Sequence, residues 1–187
     1  MMLPEIKNIL LATDFSQSAW KAMNYAAALA RVHSARVYCL HVLPELPKEL
    51  ALSSGSSGFY DLGPGMAGVL PTSSPFYEKR AEGRKKQEQE AQQKALELAR
   101  DHLKNLILKL DAEVPGSPLR TEDVAVRSGD PVRTILQEVD SGSFDLLVMG
   151  RRGHGKLRWP RIGGVAQAVL NYSSIPVLII GRPASKS

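Results

Sequence analysis

The stretch IKNILLATDFSQSAWKAMNYAAALARVHSARVYCLHVL, residues 6–43, decides the fold class. It begins with a short aliphatic run, Ile6–Ala12, that the turn-forming letters TDFS close, which predicts a buried strand. Small apolar residues then recur at helical spacing through Ser16–His33, and a second aliphatic run, Arg36–Leu43, stops at Pro44. Strand, helix and strand in this order predict two parallel strands joined by a right-handed crossover.

The same alternation of strands and helices continues along the chain. Helical spacing among charged residues predicts one long helix at 78–110, whose first half is solvated. Asp130 followed by Pro131 marks another helix start, because the cap accepts an unpaired N–H and proline has none to lose. The other predicted elements are strands at Leu119–Arg127, Phe144–Met149 and Ile175–Ile180, and helices at Val132–Val139 and Gly163–Asn171. We predict an α/β fold with a single doubly wound, open parallel sheet.

Residues 44–77 interrupt this alternation. Gly, Pro and Ser make up nearly half of the segment, and charged residues are few. A long connection of this composition is typical of a mobile loop or a lid. At 187 residues the chain has the size of one ordinary domain. We therefore expect one domain, residues 1–187, with a flexible insertion at 44–77.

Composition excludes several classes of protein. With 43% apolar and 23% charged residues, the chain is typical of a globular protein that buries a core. It has no apolar run of the ~20 residues that a membrane span needs and no signal-peptide pattern, so we expect a cytoplasmic protein without membrane contact. The single cysteine, Cys39, lies in an apolar strand, where we expect it to be buried and unpaired.

Charge alone does not identify a partner. The formal net charge is +5, which permits anionic ligands in general. The basic cluster at 80–86 is mixed with acidic residues and lacks interleaved aromatic residues that stack on bases, so we do not expect nucleic acid binding.

Three strand ends carry the residues that favour a ligand site. In an open parallel sheet, ligands bind beyond the carboxyl ends of the strands, here after Ala12, at His41–Leu43 and from Gly150 onward. Five basic residues lie between Gly150 and residue 162, and several glycines but no acidic residue follow Gly150 in the sequence. A helix start at Gly163 offers its N–H groups to an anion. This pattern indicates a phosphate site, and the same composition also fits a solvated basic loop.

These motifs resemble those of the universal stress protein family. The likeness rests on NILLATDFSQSAWKAMNYAAALA near the start, HVLP after the second strand, GDPVRTIL before the third helix, and the spacing Gly150-x2-Gly153-x9-Gly163 followed by VAQAVLNYSSIPVLII. The resemblance covers nearly the whole chain except the insertion. It implies a five-stranded parallel sheet of order 3-2-1-4-5, Rossmann-like and similar to adenine nucleotide alpha hydrolases. It also implies a protein that is usually dimeric and that binds ATP in some members.

Carried onto this sequence, the ATP motif of the family implies a nucleotide site of eleven residues. Those implied to surround the base and the sugar are Ala12, Thr13, Asp14, Val42, Met149 and Gly150. Those implied to line the phosphates are Gly153, Gly163, Gly164 and Val165, and Arg152 completes the set. The implied ligand is ATP, accompanied by Mg²⁺, with AMP or ADP as alternatives. We assign no catalytic residue and no protein metal site.

Gly164 leaves two interpretations open. The family pattern has Ser or Thr directly after the third glycine, and its loss here removes one hydroxyl donor, which lowers the expected affinity by ~1 kcal/mol, about five-fold. The chain is then either an ATP-binding homodimeric regulator of the stress response or a nucleotide-free interaction module with a vestigial site. The strand Val177–Ile180 is too apolar for an uncovered edge, so we expect it to pair with a second copy. The role of Asp14 is also left open, because its carboxylate can cap the helix, contact the ligand, or do both.

Two catalytic interpretations are not favoured. The letters GRRGHGK at 150–156 match the first seven positions of the phosphate-loop motif, but Leu157 replaces the hydroxyl that holds magnesium and Pro160 prevents an immediate helix. The sequence offers no general base, water-positioning glutamine or second metal carboxylate in the expected context, so we expect slow ATP hydrolysis at most. His41 has no carboxylate nearby in sequence, and we expect it to be a hydrogen-bonded histidine at the edge of the core.

Overall fold

Five strands form one parallel sheet. The chain adds strands first on one side of the first strand and then on the other. The computed structural model describes residues 5–44, 59–60, 68–69, 75–153 and 162–181. The strands are β1 (Asn8–Thr13), β2 (Arg36–Leu43), β3 (Phe59–Tyr60), β4 (Gly68–Val69), β5 (Leu119–Ser128), β6 (Leu146–Gly150) and β7 (Val177–Ile180). The helices are α1 (Gln17–His33), α2 (Pro75–Glu113), α3 (Pro131–Ser141) and α4 (Gly164–Tyr172).

The order of the strands in the large sheet confirms the predicted topology. They lie in the order β5-β2-β1-β6-β7, which is 3-2-1-4-5 when only the strands of this sheet are counted, and neighbouring strands pair in parallel. The strand order reverses between β1 and β6. A reversal of this kind leaves a crevice at the carboxyl ends of the two strands.

Alternating side chains of the sheet belong to two separate cores. In β1, Ile9 and Leu11 pack with α1 and with the part of α2 from Leu103 to Leu110. Leu10 and Ala12, which point the other way, pack with α3 and α4. Both faces of the sheet are therefore covered by helices, as the unbroken aliphatic runs of β1 and β6 require. Cys39 is buried in the first core, as predicted.

Several predicted boundaries were wrong by one to three residues. β1 starts at Asn8 and extends to Thr13, which pairs with His41. β7 starts at Val177 rather than at residue 175, because Pro176 has no N–H for the ladder. β6 starts at Leu146, not at residue 144, and α4 starts at Gly164, with Gly163 as its cap.

The structure also modifies the predicted insertion. Contacts divide the chain into two compact units, residues 1–44 with 96–187, and residues 45–95. Within the second unit β3 and β4 pair antiparallel, where the sequence predicted only a loop, and α2 starts at residue 75 rather than 78. Proline suits the first position of a helix, which accounts for that earlier start. Most of the insertion lies outside the described residues, as do positions 154–161 of the basic loop, so the flexible insertion and the single domain stay predictions.

Candidate functional site

A cavity of about 880 Å³ opens at the carboxyl ends of β1, β2 and β6. All eleven residues of the implied nucleotide site line it, although they come from four separate segments of the chain. They are Ala12, Thr13, Asp14, Val42, Met149, Gly150, Arg152, Gly153, Gly163, Gly164 and Val165. The volume falls in the range of small-molecule sites, about 300–1,000 Å³. Their role in binding a nucleotide stays a prediction, but their convergence on one cavity is a property of the fold.

Local hydrogen bonds shape the turn between β1 and α1. The Asp14 carboxylate accepts a hydrogen bond from the N–H of Ser16 at 3.0 Å, and the N–H of Phe15 donates to the Thr13 hydroxyl at 3.2 Å. Phe15 has a φ of +64°, which is uncommon for a side chain of this size. The cap of α1 is Ser16, whose hydroxyl accepts from the N–H of Ala19. Asp14 therefore holds the turn before the helix and is not itself the helix cap.

The first turn of α1 also holds the segment that follows β6. The hydroxyls of Ser16 and Ser18 both donate to the carbonyl oxygen of Arg152. A Cβ on Gly150 would lie 2.9 Å from the backbone nitrogen of Ala19, so only glycine lets β6 pass this close to the helix. A Cβ on Gly153 would overlap the Asp14 carboxylate. Sequence reasoning missed the two serines, whose only signal is their position at the start of α1.

The two ends of the basic loop meet at α4. The N–H of Gly163 donates to the carbonyl of Arg151 at 2.8 Å. Gly163 is the cap of α4 and has no side chain to accept from the N–H groups of the first turn. Those N–H groups belong to residues that line the cavity, and the helix dipole adds partial positive charge there. The site therefore offers an anion a helix terminus that no side chain caps.

Arginine side chains add to this positive character. Arg151 and Arg152 both line the cavity. The Nε of Arg151 is buried and has no hydrogen-bond partner among the described residues. A buried donor without an acceptor is unfavourable. The sequence-based set contained Arg152 but not Arg151, because side-chain direction after a strand cannot be read from spacing.

His41 lines the cavity at the end of β2. It is buried, its Nδ1 lies 2.7 Å from the carbonyl oxygen of Thr13, and its ring stacks on Phe15 at 4.1 Å between centroids. Burial lowers the pKa of His41, and the hydrogen bond to Thr13 opposes this effect. The predicted hydrogen-bonded histidine at the edge of the core is confirmed.

Other lining residues were not in the predicted set because they are apolar or distant in sequence. Besides His41 and Arg151 they are Leu40, Leu43, Pro44, Pro131, Ile135, Ile162 and Ala166. Most of these apolar residues belong to the end of β2 and to α3, and they make that wall apolar, which suits a flat organic ring better than an inorganic ion alone.

The described part of the chain contains neither a metal-binding cluster nor a membrane-spanning helix. No group of three or more His, Cys, Asp or Glu side chains is placed there to hold a metal ion. No helix among the described residues combines the length and the apolar character of a membrane span.

Proteins of similar sequence include universal stress proteins. Universal stress protein MJ0577 of Methanocaldococcus jannaschii is 27% identical over 179 residues, which cover 96% of this chain and 97% of that protein. A universal stress protein of Thermus aquaticus is 27% identical over 174 residues, covering 93% of this chain and 98% of that protein.

Solved structures show the same fold. The structure of protein MJ0577 superposes with a TM-score of 0.67 and 22% identity, covering 97% of this chain and all of that one. UspA from Lactobacillus plantarum superposes with a TM-score of 0.54 and 18% identity, covering 95% and 99%. The model of the universal stress protein family matches residues 5–60 and 69–181. This chain therefore belongs to the universal stress protein family.

Proposed function

We propose that this protein binds an adenine nucleotide, ATP in the first place, in the cavity at the carboxyl edge of the sheet. One observation carries the proposal: a single cavity gathers eleven residues from four segments and ends at the uncapped N-terminus of α4. The cavity is apolar on one side and positively charged on the other. A nucleotide has the matching division into a flat ring and phosphates.

In the proposed complex the ring lies near the ends of β1 and β2, beside Thr13 and Val42. Asp14 accepts hydrogen bonds from the base or the ribose, while it also holds the turn before α1. The phosphates lie against Gly153, Gly163 and the first turn of α4, where backbone N–H groups are available. Glycine suits these positions because it leaves room for the phosphate oxygens.

Gly164 weakens the proposed complex without blocking it. A Cβ at this position would meet no atom within 4 Å, so the space that a Ser or Thr side chain fills in the family pattern is present. The backbone N–H remains, and only one side-chain donor is lost. Mg²⁺ is proposed to accompany ATP through the phosphates and not through a protein carboxylate cluster. AMP and ADP are alternative ligands.

The biochemical role that we propose is a homodimeric regulator of the stress response. β7 forms one edge of the sheet, and Val177, Leu178 and Ile179 are only partly buried. An apolar edge strand of this kind favours pairing with a second copy. Nucleotide binding would then set the conformation of the segments around Gly153, which α1 holds through Arg152.

Calorimetric titration with ATP and Mg²⁺ tests the binding proposal on nucleotide-stripped protein. We expect micromolar affinity, about −8 kcal/mol, and a loss of at least about ten-fold in Gly153→Ala, because its Cβ displaces Asp14. Gly164→Ala is the matched control, since it also adds one methyl group to a lining glycine but meets no neighbour. The control should bind within about two-fold of the wild type.

Absence of both heat and a melting shift at millimolar ATP would contradict the proposal. That result favours the alternative, a nucleotide-free interaction module with the same fold.

Light scattering tests the dimer separately. Ile179→Lys places a charge on β7, at a side chain partly buried against the core beside α3 and α4, and should give a folded monomer at micromolar concentration. Thr121→Lys, on the edge strand β5 at the opposite side of the sheet, should remain dimeric. A monomeric wild type, or a dimer in Ile179→Lys, contradicts the proposed pairing.

A further inference from the structure

A second, smaller cavity of about 270 Å³ lies between the first turns of α1 and the half of α2 after residue 96. Its floor is formed by Thr13, Ser16 and Met23, all of which are buried. Thr13 also lines the larger cavity, so the two spaces adjoin at the end of β1. The smaller volume is below the usual range for drug-sized ligands, so it suits a molecule with a single ring.

The walls of this cavity are aromatic and aliphatic. Phe15, Trp20 and Leu106 are half-buried and line it. The Phe15 ring is stacked on His41 on one side, and the Lys109 ammonium lies over the Trp20 ring, so both rings belong to packed aromatic walls. Aromatic rings prefer to pack on such surfaces in stacked or edge-on arrangements.

The mouth of the cavity is polar and carries positive charge. Gln17, His102 and Lys109 line it and are exposed. The Lys109 ammonium lies 5.4 Å from the centre of the Trp20 ring. Its nearest acid is Glu113 at 3.9 Å, an exposed pair one helical turn away, and such pairs contribute little. None of the described lining residues is acidic.

We propose that this second cavity binds a small aromatic monocarboxylate, with its ring against the wall formed by Phe15, Trp20 and Leu106 and its carboxylate on Lys109. An apolar ring matches the aromatic and aliphatic walls and Met23, and an anion is needed to use the ammonium at the mouth. A cationic amine of the same size would face Lys109 and is therefore disfavoured.

Residues between the two cavities connect the second site to the larger cavity. The Phe15 ring stacks on His41 at 4.1 Å and meets His102 edge-on at 4.6 Å. His41 lines the larger cavity and is hydrogen-bonded to the backbone of Thr13, so a ligand that shifts Phe15 acts on residues of both. The resulting coupling to the nucleotide rests on the proposed function, whereas binding of the carboxylate does not.

Fluorescence of Trp20 provides a direct readout. Trp159→Phe removes the other tryptophan of the chain and leaves Trp20 as the only one. In this background we expect phenylacetate to change the emission saturably, with a dissociation constant at or below about 1 mM. The uncharged analogue 2-phenylethanol, which has the same ring, should bind at least about five-fold more weakly.

Substitutions at the mouth test the role of the ammonium. Lys109→Gln should remove the preference for the acid over the alcohol, whereas Lys104→Gln, on the same helix but outside the cavity lining, should retain it. Glu113→Gln removes the competing carboxylate and should tighten phenylacetate binding about two-fold. No saturable change up to about 5 mM, or equal binding of acid and alcohol, overturns the proposal.

The coupling is tested by titrating ATP with and without saturating phenylacetate. We expect the ATP affinity to change at least about three-fold, with the reciprocal effect on phenylacetate, and the change to shrink in Phe15→Leu. If ATP does not bind under either condition, the proposed function fails while the Trp20 signal still decides the second site. If both ligands bind without affecting each other, the coupling is wrong and the site stands.

Discussion

The two ends of the five-stranded sheet are built differently, although they belong to the same strands. At the amino end, side chains satisfy the backbone: the Asp145 carboxylate accepts from the N–H groups of Lys7 and Asn8, both at 2.8 Å, and the Asn8 amide donates to the carbonyl of Ser143. At the carboxyl end, side chains such as Ser16 and His41 also bind backbone carbonyls, but glycines line the cavity, α4 lacks a side-chain cap, and the Nε of Arg151 has no partner among the described residues.

The amino end of the sheet uses its hydrogen-bonding groups for stability, whereas the carboxyl end leaves backbone N–H groups available to a ligand. Hydrogen bonds that are complete within the protein leave nothing for a ligand. N–H groups around a cavity that lack an acceptor within the protein lower its stability slightly, and they can donate hydrogen bonds to a bound anion. Changes at the amino end should therefore affect stability alone, and changes at the carboxyl end should affect stability, binding, or both, according to what each position contacts.

The largest effect is expected at Gly150. Gly150→Ala places a Cβ within 3 Å of the backbone of Ser18 and Ala19, which cannot move without displacing α1. We expect the free energy of unfolding to fall by about 3 kcal/mol in urea denaturation, with an unchanged m-value. Gly164→Ala, the matched control, should be neutral or slightly stabilising, because its Cβ meets nothing. Equal stability of the two variants would mean that α1 and β6 do not pack as described.

The next effect tests the amino end. Asp145→Ala removes the acceptor of two backbone N–H groups, and we expect a loss of about 2 kcal/mol in the free energy of unfolding. Asp145→Asn keeps an oxygen acceptor and should retain part of this stability. ATP affinity should be the same in all three proteins. A change in affinity would show that the two ends of the sheet are not independent.

A smaller effect is expected from restoring the family's hydroxyl. Gly164→Ser adds a donor in open space beside the proposed phosphates, so ATP affinity should rise about five-fold, or ~1 kcal/mol. Gly164→Ala separates the hydroxyl from the effect of the added methyl group on the helix. An increase in Gly164→Ala as large as that in Gly164→Ser would assign the gain to the helix and not to the hydroxyl.

The smallest effect concerns His41 and pH. Its pKa is lowered by burial, so the unfolded chain binds more protons than the native protein just below the usual value of 6.5. Stability should therefore fall as the pH decreases through 6.5, with a slope of at most about 1.4 kcal/mol per pH unit from this group.

His41→Asn keeps a donor for the Thr13 carbonyl but does not titrate. The free energy of unfolding of this variant, measured by denaturation between about pH 5.5 and 7.5, should change less with pH than that of the wild type. An identical slope in the two proteins would assign the pH dependence to other groups.

Much of the fold was predictable because it depends on local pattern. Aliphatic runs closed by turn residues located the central strands, and Asp130 with Pro131 located the start of α3, where Asp130 is indeed the cap. The small residues of α1, such as Ala22 and Ala26, are buried against the sheet as their spacing predicts. Boundaries could not be predicted from the local pattern, since they depend on the neighbouring strand: Thr13 joins β1 because His41 lies opposite.

The candidate site was predictable in part for a different reason. Three strand ends could be predicted to meet, because the topology brings the ends of parallel strands together. The individual residues, including Gly163, Gly164 and Val165 at the start of α4, were implied by the resemblance to the family motif. Contacts made by side chains could not be predicted in this way. Nothing in the spacing shows that Ser16 and Ser18 hold the carbonyl of Arg152, or that Phe15 lies between His41 and His102.

By itself, the sequence determined the class of fold, the strand ends that carry the larger cavity, and the glycines that keep it open. These depend on periodicity, on turn chemistry and on residues that act at their own position. Only the tertiary structure decided which α1 side chains hold the segment after β6, that Arg151 lines the cavity, and that a second cavity adjoins it at Thr13. The physical reason is that a hydrogen bond or a cavity between distant segments depends on the distance and direction of packed side chains, which no local pattern encodes.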